Sequence, residues 1–223
     1  MPLRAFPDPA NSGPNSESFF SIKKLYFPHS DVIEYSQAFY DKGNIMSDNN
    51  KLTVGEQAPD FSITDAAGKS LTLSEYRGNK SVVMVFLRYL GCPICRLALY
   101  DLKKDYARFA ELDAEVLAFV QSPPERLADA AAEFPFRLIP DEEGKIYNLY
   151  GVGSGNLGSM LAPQTVSAAL KATFKGHIQG KVEGNTWQLP GDFLVDKDGS
   201  LRLARIGKNM GDNLSTDALL GYL

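Results

Sequence analysis

From residue 81 onward, the chain alternates continuous apolar runs with segments that carry a single apolar stripe. The runs SVVMVFL and AEVLAFV are rich in β-branched and aromatic residues, as expected for strands buried on both faces. Between them, PICRLALYDLKKDYARFAEL repeats its apolar residues at the spacing of a helix with one buried face. Strands that alternate with helices of this length predict βαβ units and a sheet containing parallel strands.

Further elements extend this pattern in both directions. The stretch DFSITDAAGKSLTLSEY alternates apolar and polar residues around a Gly-containing turn, which predicts a hairpin followed by a short helix. A helix is predicted in PPERLADAAAEF, a short strand in FRLIPD, and a helix from about Ala162 to Lys175. Two strands joined by KDG form a second predicted hairpin, and a last helix has Ser215 as its candidate N-cap. The sequence therefore predicts one α/β domain over residues 51–223.

The first 50 residues differ from this domain in composition. They begin with MPLRAFPDPANSGPNSESFF, whose Pro, Ser and Asn content is typical of an irregular arm. The stretch that follows carries many apolar residues without a clean helical or strand period. We predict an N-terminal extension over residues 1–50 that packs on the main domain or on a second subunit. Together with the edge strands of the sheet, this extension makes a homodimer a candidate assembly.

The composition predicts a folded protein and argues against two classes of partner. With 223 residues, 44% of them hydrophobic, the chain can bury a sizeable core. The net charge is -4 with scattered Lys and Arg, so no basic face is available to bind nucleic acid. No apolar run reaches the roughly 18 residues of a membrane span, and the N-terminal stretch lacks the layout of a secretory signal. We therefore expect a cytoplasmic protein with neither nucleic acid nor a membrane as its partner.

The chain contains two cysteines, Cys92 and Cys95, at the joint between a predicted strand and a predicted helix. A helix that begins here would place Cys92 at the N-cap and Pro93 at the first helical position. The unpaired amides and positive dipole of a helix start favour a thiolate over a thiol. Arg88 and Arg96 flank the pair, and either can add positive charge. In a reducing compartment, such a pair is more often redox-active or metal-binding than a structural disulfide.

Two other interpretations of the pair compete with redox chemistry. Zinc requires about four ligands, and the only histidines of the chain are His29 and His177, so no metal site is expected. Alternatively, Cys92 and Cys95 are two small core residues in a fold that serves as an interaction protein. We also expect no organic cofactor.

Several motifs in order along the chain resemble one known family. The segments VGEQAPDFSITDAAGKSLTLSEYRGN, GCPICR, IPDEEGKIYNLYGV and FLVDKDGSLRLA resemble the thioredoxin-fold peroxiredoxins of the alkyl hydroperoxide reductase and thiol-specific antioxidant (AhpC/TSA) superfamily. The similarity covers Leu52 to Leu223. The segments FLRYLGCPICR, WQLPGDFLVD and GKNMGDN resemble its Cys-x-x-Cys branch, which is related to selenoprotein L. This resemblance implies a thioredoxin-like fold with a central mixed sheet and helices on both faces. It also implies a hydroperoxide substrate and a thiol reductant such as thioredoxin or glutathione.

The resemblance also assigns expectations to single positions. Typical members carry Pro-x-x-x-Thr-x-x-Cys, which places Cys95 at the peroxidatic position, Cys92 at the Thr and Arg88 at the Pro, so two of three positions depart. Pro190 stands where typical members carry an arginine, and it resembles the cis-proline of thioredoxin-like reductases. Arg88, Arg202 and Arg205 are the candidates to replace that arginine. Tyr89 and Pro190 are expected to line the substrate site.

Two catalytic schemes follow, and they exchange the roles of the two cysteines. In a thiol peroxidase, the Cys95 thiolate attacks a peroxide and becomes a sulfenic acid, which condenses with Cys92 to form a disulfide. In a disulfide reductase or redox sensor, Cys92 is expected to be the more exposed cysteine and to attack a partner disulfide, after which Cys95 resolves the mixed disulfide.

Overall fold

The computed structural model describes residues 51–223, and within them a five-stranded sheet of order β5-β4-β3-β6-β7 forms the centre. Its strands are β3 (Ser81–Leu87), β4 (Ala114–Val120), β5 (Arg137–Pro140), β6 (Gly191–Val195) and β7 (Leu201–Ile206). Strands β3, β4 and β5 run parallel, whereas β6 is antiparallel to β3 and β7 is antiparallel to β6. The sheet is therefore mixed, as the resemblance implied.

Within residues 51–223, a separate antiparallel hairpin precedes the sheet, and six α-helices surround the sheet. The hairpin consists of β1 (Ser62–Thr64) and β2 (Ser70–Thr72), and a short 3-10 helix over Leu73–Tyr76 follows it. The helices are α1 (Pro93–Glu111), α2 (Pro124–Ala131), α3 (Lys145–Leu149), α4 (Leu157–Leu161), α5 (Pro163–Phe174) and α6 (Thr216–Leu220). The helices α3 and α4 were not predicted, because five residues are too few to display a helical stripe.

Two apolar clusters place these helices on opposite faces of the sheet. One cluster joins alternate residues of β3 and β4 to apolar side chains of α1, α2 and α6. The other joins the remaining residues of those strands to the hairpin and α3. Because β3 and β4 are buried on both faces, their sequences are nearly continuous apolar runs, interrupted in β4 by the partly buried Glu115. The predicted central mixed sheet with helices on both faces is confirmed.

A buried aromatic cluster fixes the ends of β3 and β4, where the cysteine loop begins. The rings of Phe86 and Phe119 stack with centroids 4.5 Å apart, and Tyr147 meets Phe86 edge-on at 5.0 Å. The Tyr147 hydroxyl donates to the carbonyl oxygen of Leu87 and lies 2.9 Å from that of Phe119. One buried phenol thus ties together the two strand ends that precede the cysteine loop and the loop after β4.

Within residues 51–223, no helix combines the length and the apolar character needed to cross a membrane. The predicted N-terminal extension, residues 1–50, lies outside the described residues.

The Tyr147 contacts give a stability prediction. Replacing Tyr147 by Phe leaves the carbonyls of Leu87 and Phe119 without this donor, so the free energy of unfolding in urea should fall by about 1 to 3 kcal/mol. The matched control is Tyr222→Phe at a partly exposed position, which should change that free energy by less than about 0.5 kcal/mol. Equal effects of the two substitutions would contradict the role assigned to the Tyr147 hydroxyl.

Candidate active site

The cysteine pair lies where the chain leaves β3 and enters α1. Cys92 is the N-cap of α1 with an extended backbone, Pro93 is the first helical residue, and the Cys92 sulfur accepts a hydrogen bond from the Cys95 amide at 3.5 Å. The sequence predicted this placement, because Pro93 lacks the amide that a first helical position leaves unpaired. Both sulfurs consequently lie at the N-terminal end of α1.

Arg88, which directly follows β3, contacts both cysteines. Its Nη2 donates to the Cys92 sulfur at 2.9 Å, and its backbone amide donates to the Cys95 sulfur at 3.3 Å. Of the two arginines that flank the pair in the sequence, Arg88 is thus the one that donates hydrogen bonds to both sulfurs.

The other two arginines left open by the sequence have different partners. Arg205 pairs with Asp192, with Nη1 and Oδ2 3.0 Å apart, and also with Asp212. Arg202 pairs with Asp196. Of the three candidates, Arg88 is therefore the one hydrogen-bonded to the cysteines.

Further contacts hold the Arg88 guanidinium in place. Its Nη1 donates to the sulfur of Met210 at 3.2 Å and to the carbonyl oxygen of Thr186 at 3.4 Å. Its Nε is buried and has no hydrogen-bond partner within residues 51–223. We did not identify Met210 as a site residue from the sequence, although it lies in the GKNMGDN segment that contributed to the resemblance.

The two cysteines have opposite acid–base properties. Hydrogen bonding from the Cys95 thiol, the positive charge of Arg88 and the amides of Cys95 and Ile94 outweigh burial and lower the pKa of Cys92 to about 6. Burial and the neighbouring Cys92 raise the pKa of Cys95 well above its ordinary value. At neutral pH, Cys92 is therefore the thiolate and Cys95 the thiol.

Both cysteines are reduced and buried. Cys92 is 0% exposed and Cys95 is 4% exposed, so the expectation that Cys92 is the more exposed of the two is wrong. Both cysteines belong to the buried apolar cluster between the sheet and α1, and a long-range contact lies beside them. Residues 176–188, which we call the strap, run over the cysteine loop, and the Gly180 amide donates to the Gly91 carbonyl at 2.7 Å.

Tyr89, which the sequence predicted as a residue lining the site, lies beside Arg88. It is 5% exposed, and the centre of the Arg88 guanidinium lies 5.8 Å from its ring centroid. Its hydroxyl accepts a hydrogen bond from Gln179 of the strap at 3.4 Å. Tyr89 therefore connects the arginine to the segment that covers the pair.

Arg96 and Pro190 have different surroundings. Arg96 lines a surface cavity together with Gly91 of the cysteine loop, Gly180 of the strap, Tyr100 and Glu133. Residues 51–223 contain no cis peptide bond, so the bond preceding Pro190 is trans and the likeness to a cis-proline does not hold. The Pro190 carbonyl instead accepts a hydrogen bond from the Gly207 amide at 2.8 Å.

The two histidines of the chain were considered as zinc ligands. His177 lies beside the Tyr100 ring, with centroids 5.1 Å apart, and His29 is outside the described residues. Over residues 51–223, no three or more His, Cys, Asp or Glu side chains form a cluster that could hold a metal ion.

Comparisons with known proteins identify similar chains. A family model described as the AhpC/TSA family matches residues 54–204. Chloroplastic peroxiredoxin Q of Populus jackii is 29% identical over 159 residues, which cover 70% of this chain and 71% of that protein. Alkyl hydroperoxide reductase E of Mycobacterium tuberculosis is 29% identical over 175 residues, which cover 75% of this chain and 96% of that protein.

A solved structure shares the fold. The crystal structure of peroxidoxin BcpB from Mycobacterium tuberculosis superimposes with a TM-score of 0.55 at 20% sequence identity, covering 76% of this chain and 94% of that chain. This similarity confirms the thioredoxin-like fold.

The lowered pKa of Cys92 predicts the pH dependence of its alkylation. Because the thiolate is the nucleophile, the rate with iodoacetamide should rise with pH around a midpoint of about 6 and be flat above about pH 7. The rate is measured on fully reduced protein, with mass spectrometry to identify the labelled cysteine. A midpoint near the ordinary thiol value of about 8.5 would contradict the assignment.

The contact between Arg88 and Cys92 predicts how substitutions change the pKa of Cys92. Arg88→Met removes the charge and the Nη2 donor, so the pKa of Cys92 should rise by about 1 to 3 units, measured by the ultraviolet absorbance of the thiolate. Met210→Leu removes an acceptor that orients the Arg88 guanidinium, so it should raise the pKa of Cys92 by a smaller amount. Arg202→Met is the matched control and should leave the pKa of Cys92 unchanged. A rise as large with Arg202→Met would contradict a local effect of Arg88.

Proposed function

The chain belongs to the AhpC/TSA family, and from this membership we propose that it is a thiol-dependent oxidoreductase whose cysteine pair alternates between dithiol and disulfide. The observation that carries the proposal is the division of the pair into a thiolate, Cys92, and a neighbouring thiol, Cys95. A low-pKa thiolate with a second thiol one helical turn away is the arrangement that thiol–disulfide chemistry requires.

We propose a hydroperoxide as the oxidising substrate and Cys92 as the attacking residue. The Cys92 thiolate attacks the terminal oxygen of the peroxide, an S–O bond forms as the O–O bond breaks, and the leaving alkoxide takes up a proton to become an alcohol. Cys92 is then a sulfenic acid. The Cys95 sulfur attacks the Cys92 sulfur, its thiol proton leaves with the displaced hydroxide as water, and a disulfide forms. An external thiol reductant, such as thioredoxin or glutathione, returns the pair to the dithiol.

Arg88 has two roles in this scheme. Its Nη2 stabilises the Cys92 thiolate before the attack. Its unpartnered Nε is a donor for the peroxide oxygen on which negative charge develops as the O–O bond breaks. No metal or organic cofactor takes part.

A second candidate function is reduction of protein disulfides. The same thiolate at the start of α1 can attack a partner disulfide, and Cys95 can then release the reduced partner. Two observations favour this alternative: the lowered pKa belongs to Cys92 rather than to Cys95, and the chain departs from Pro-x-x-x-Thr-x-x-Cys at two positions. The two functions share a nucleophile and differ in the bond that it attacks.

We also propose that residues 51–223 form the catalytic domain and that the protein works in the cytoplasm. A pair that must be reduced after each cycle needs a supply of reductant, which thioredoxin and glutathione provide in that compartment. The homodimer stays a prediction.

Serine variants test the proposed function. Cys92→Ser should abolish the rapid oxidation of reduced protein by hydrogen peroxide and by an organic hydroperoxide, because the thiolate is lost. Cys95→Ser should still be oxidised at Cys92, where the sulfenic acid can be trapped and located by mass spectrometry. Its rate should stay close to that of the wild type, because the serine hydroxyl replaces the Cys95 thiol as a hydrogen-bond donor to Cys92.

Two results would reject parts of this proposal. A sulfenic acid formed rapidly at Cys95 in the Cys92→Ser variant would show that Cys95 attacks first. Wild-type oxidation no faster than that of an ordinary free thiol would reject peroxide as the substrate. A protein disulfide that oxidises the wild type but not Cys92→Ser would then establish the second candidate.

A further inference from the structure

The strap, residues 176–188, lies against the cysteine loop at three points. Besides the Gly180–Gly91 hydrogen bond, Gln179 donates to the Tyr89 hydroxyl at 3.4 Å, and Arg88 Nη1 donates to the Thr186 carbonyl at 3.4 Å. The approach is tight, because a Cβ added at Gly91 would lie 2.2 Å from the Lys181 carbonyl oxygen. The backbone of the strap therefore covers the loop that carries Cys92.

Substrate cannot reach Cys92 in this arrangement. The residue is 0% exposed, so some segment must move before a peroxide or a disulfide contacts its sulfur. The first turn of α1 is held by its own hydrogen bonds, including the bond from the Arg96 amide to the Cys92 carbonyl at 2.9 Å. The strap, in contrast, contains no helix or strand, and most of its residues between 178 and 184 are exposed. Segments of this kind open at the lowest free-energy cost.

Glu183 is the exception within this exposed stretch. It is buried at 8% exposure, and its Oε1 lies 3.1 Å from Nη1 of Arg126 on α2 and 4.0 Å from Nζ of Lys181. Within residues 51–223, neither carboxylate oxygen has a hydrogen-bond partner. Arg126 therefore supplies the main compensation for burying this charge, because an unpaired buried carboxylate is strongly unfavourable.

We propose that residues 176–188 are a gate over the thiol pair, held shut by the ion pair between Glu183 and Arg126. The proposal rests on the proposed function, because the gate controls access to the Cys92 thiolate. Opening withdraws the Gly180 amide from Gly91 and the Thr186 carbonyl from Arg88. The sulfur and its arginine then face the incoming substrate.

The ion pair predicts how substitutions at Arg126 and Glu183 change the rate of Cys92 alkylation. Arg126→Met removes the closer of the two cations beside the buried Glu183 and leaves Lys181 at 4.0 Å. This loss favours the open strap, where water solvates the carboxylate. Alkylation of Cys92 by iodoacetamide should then become faster by about tenfold or more. The double variant Arg126→Met with Glu183→Leu removes both charges, so the strap should close again and the rate should return to within about threefold of the wild type.

Two controls separate access from reactivity. The pKa of Cys92 is measured in each variant, and the rates are compared at a pH at which the thiolate is fully formed. Arg108→Met is the matched substitution. Arg108 pairs with Asp217 near the other end of α1, with Nη1 and Oδ1 2.7 Å apart, and its loss should leave the alkylation rate unchanged.

Hydrogen exchange identifies the segment that moves. In Arg126→Met, peptides covering residues 176–188 should lose protection, whereas the first turn of α1 should keep it. Unchanged alkylation in Arg126→Met would overturn the proposal. So would loss of protection confined to α1, or a double variant as reactive as the single one. Because alkylation needs no turnover, it reports on the gate even if neither peroxide nor protein disulfide proves to be the substrate.

Discussion

A buried thiolate is stable only where nearby donors replace the water that burial removes, and the hydrogen bond from Arg88 to Cys92 provides this replacement. The rest of the site can be understood as the support of that contact. Tyr147 holds the end of β3, from which Arg88 projects. Met210 and Thr186 accept hydrogen bonds from the other terminal nitrogen of the guanidinium. The side chain is therefore held from the sheet, from the segment after β7 and from the strap.

The opposite pKa shifts of the two cysteines arise within one helical turn. Cys92 occupies the N-cap, where free amides and the arginine favour a negative charge. Cys95 lies inside the helix, where burial and the adjacent thiolate disfavour a second charge. Because the Cys95 thiol donates a hydrogen bond to the Cys92 thiolate, the protonated Cys95 stabilises the ionised Cys92, and the ionised Cys92 keeps Cys95 protonated. The protein thus holds one cysteine as a thiolate and the other as a thiol without a dedicated base.

Local sequence patterns predicted the parts of this arrangement that depend on neighbouring residues. The period of the apolar runs predicted the strands and the long helices, and Pro93 after Cys92 predicted the N-cap. The choice among Arg88, Arg202 and Arg205 could not be made from the sequence, because each arginine finds its acid or sulfur partner only in the folded sheet. The contact of Arg88 with Met210 spans 122 positions, and nothing local to either residue indicates it.

Burial of the pair was missed for the same reason, since the strap follows Gly91 by more than eighty positions and has no apolar period. Its exposed residues resemble an ordinary surface loop, and its long-range contacts, such as those of Glu183 and Gly180, distinguish it. The strap also contacts Arg88. In the proposed gate, opening therefore changes both the access of substrate to Cys92 and the donors that Arg88 offers to the substrate. Opening frees Arg88 Nη1 from Thr186 beside the unpartnered Nε, while Nη2 stays on Cys92. Two donors then become available at the place where negative charge develops on the leaving group.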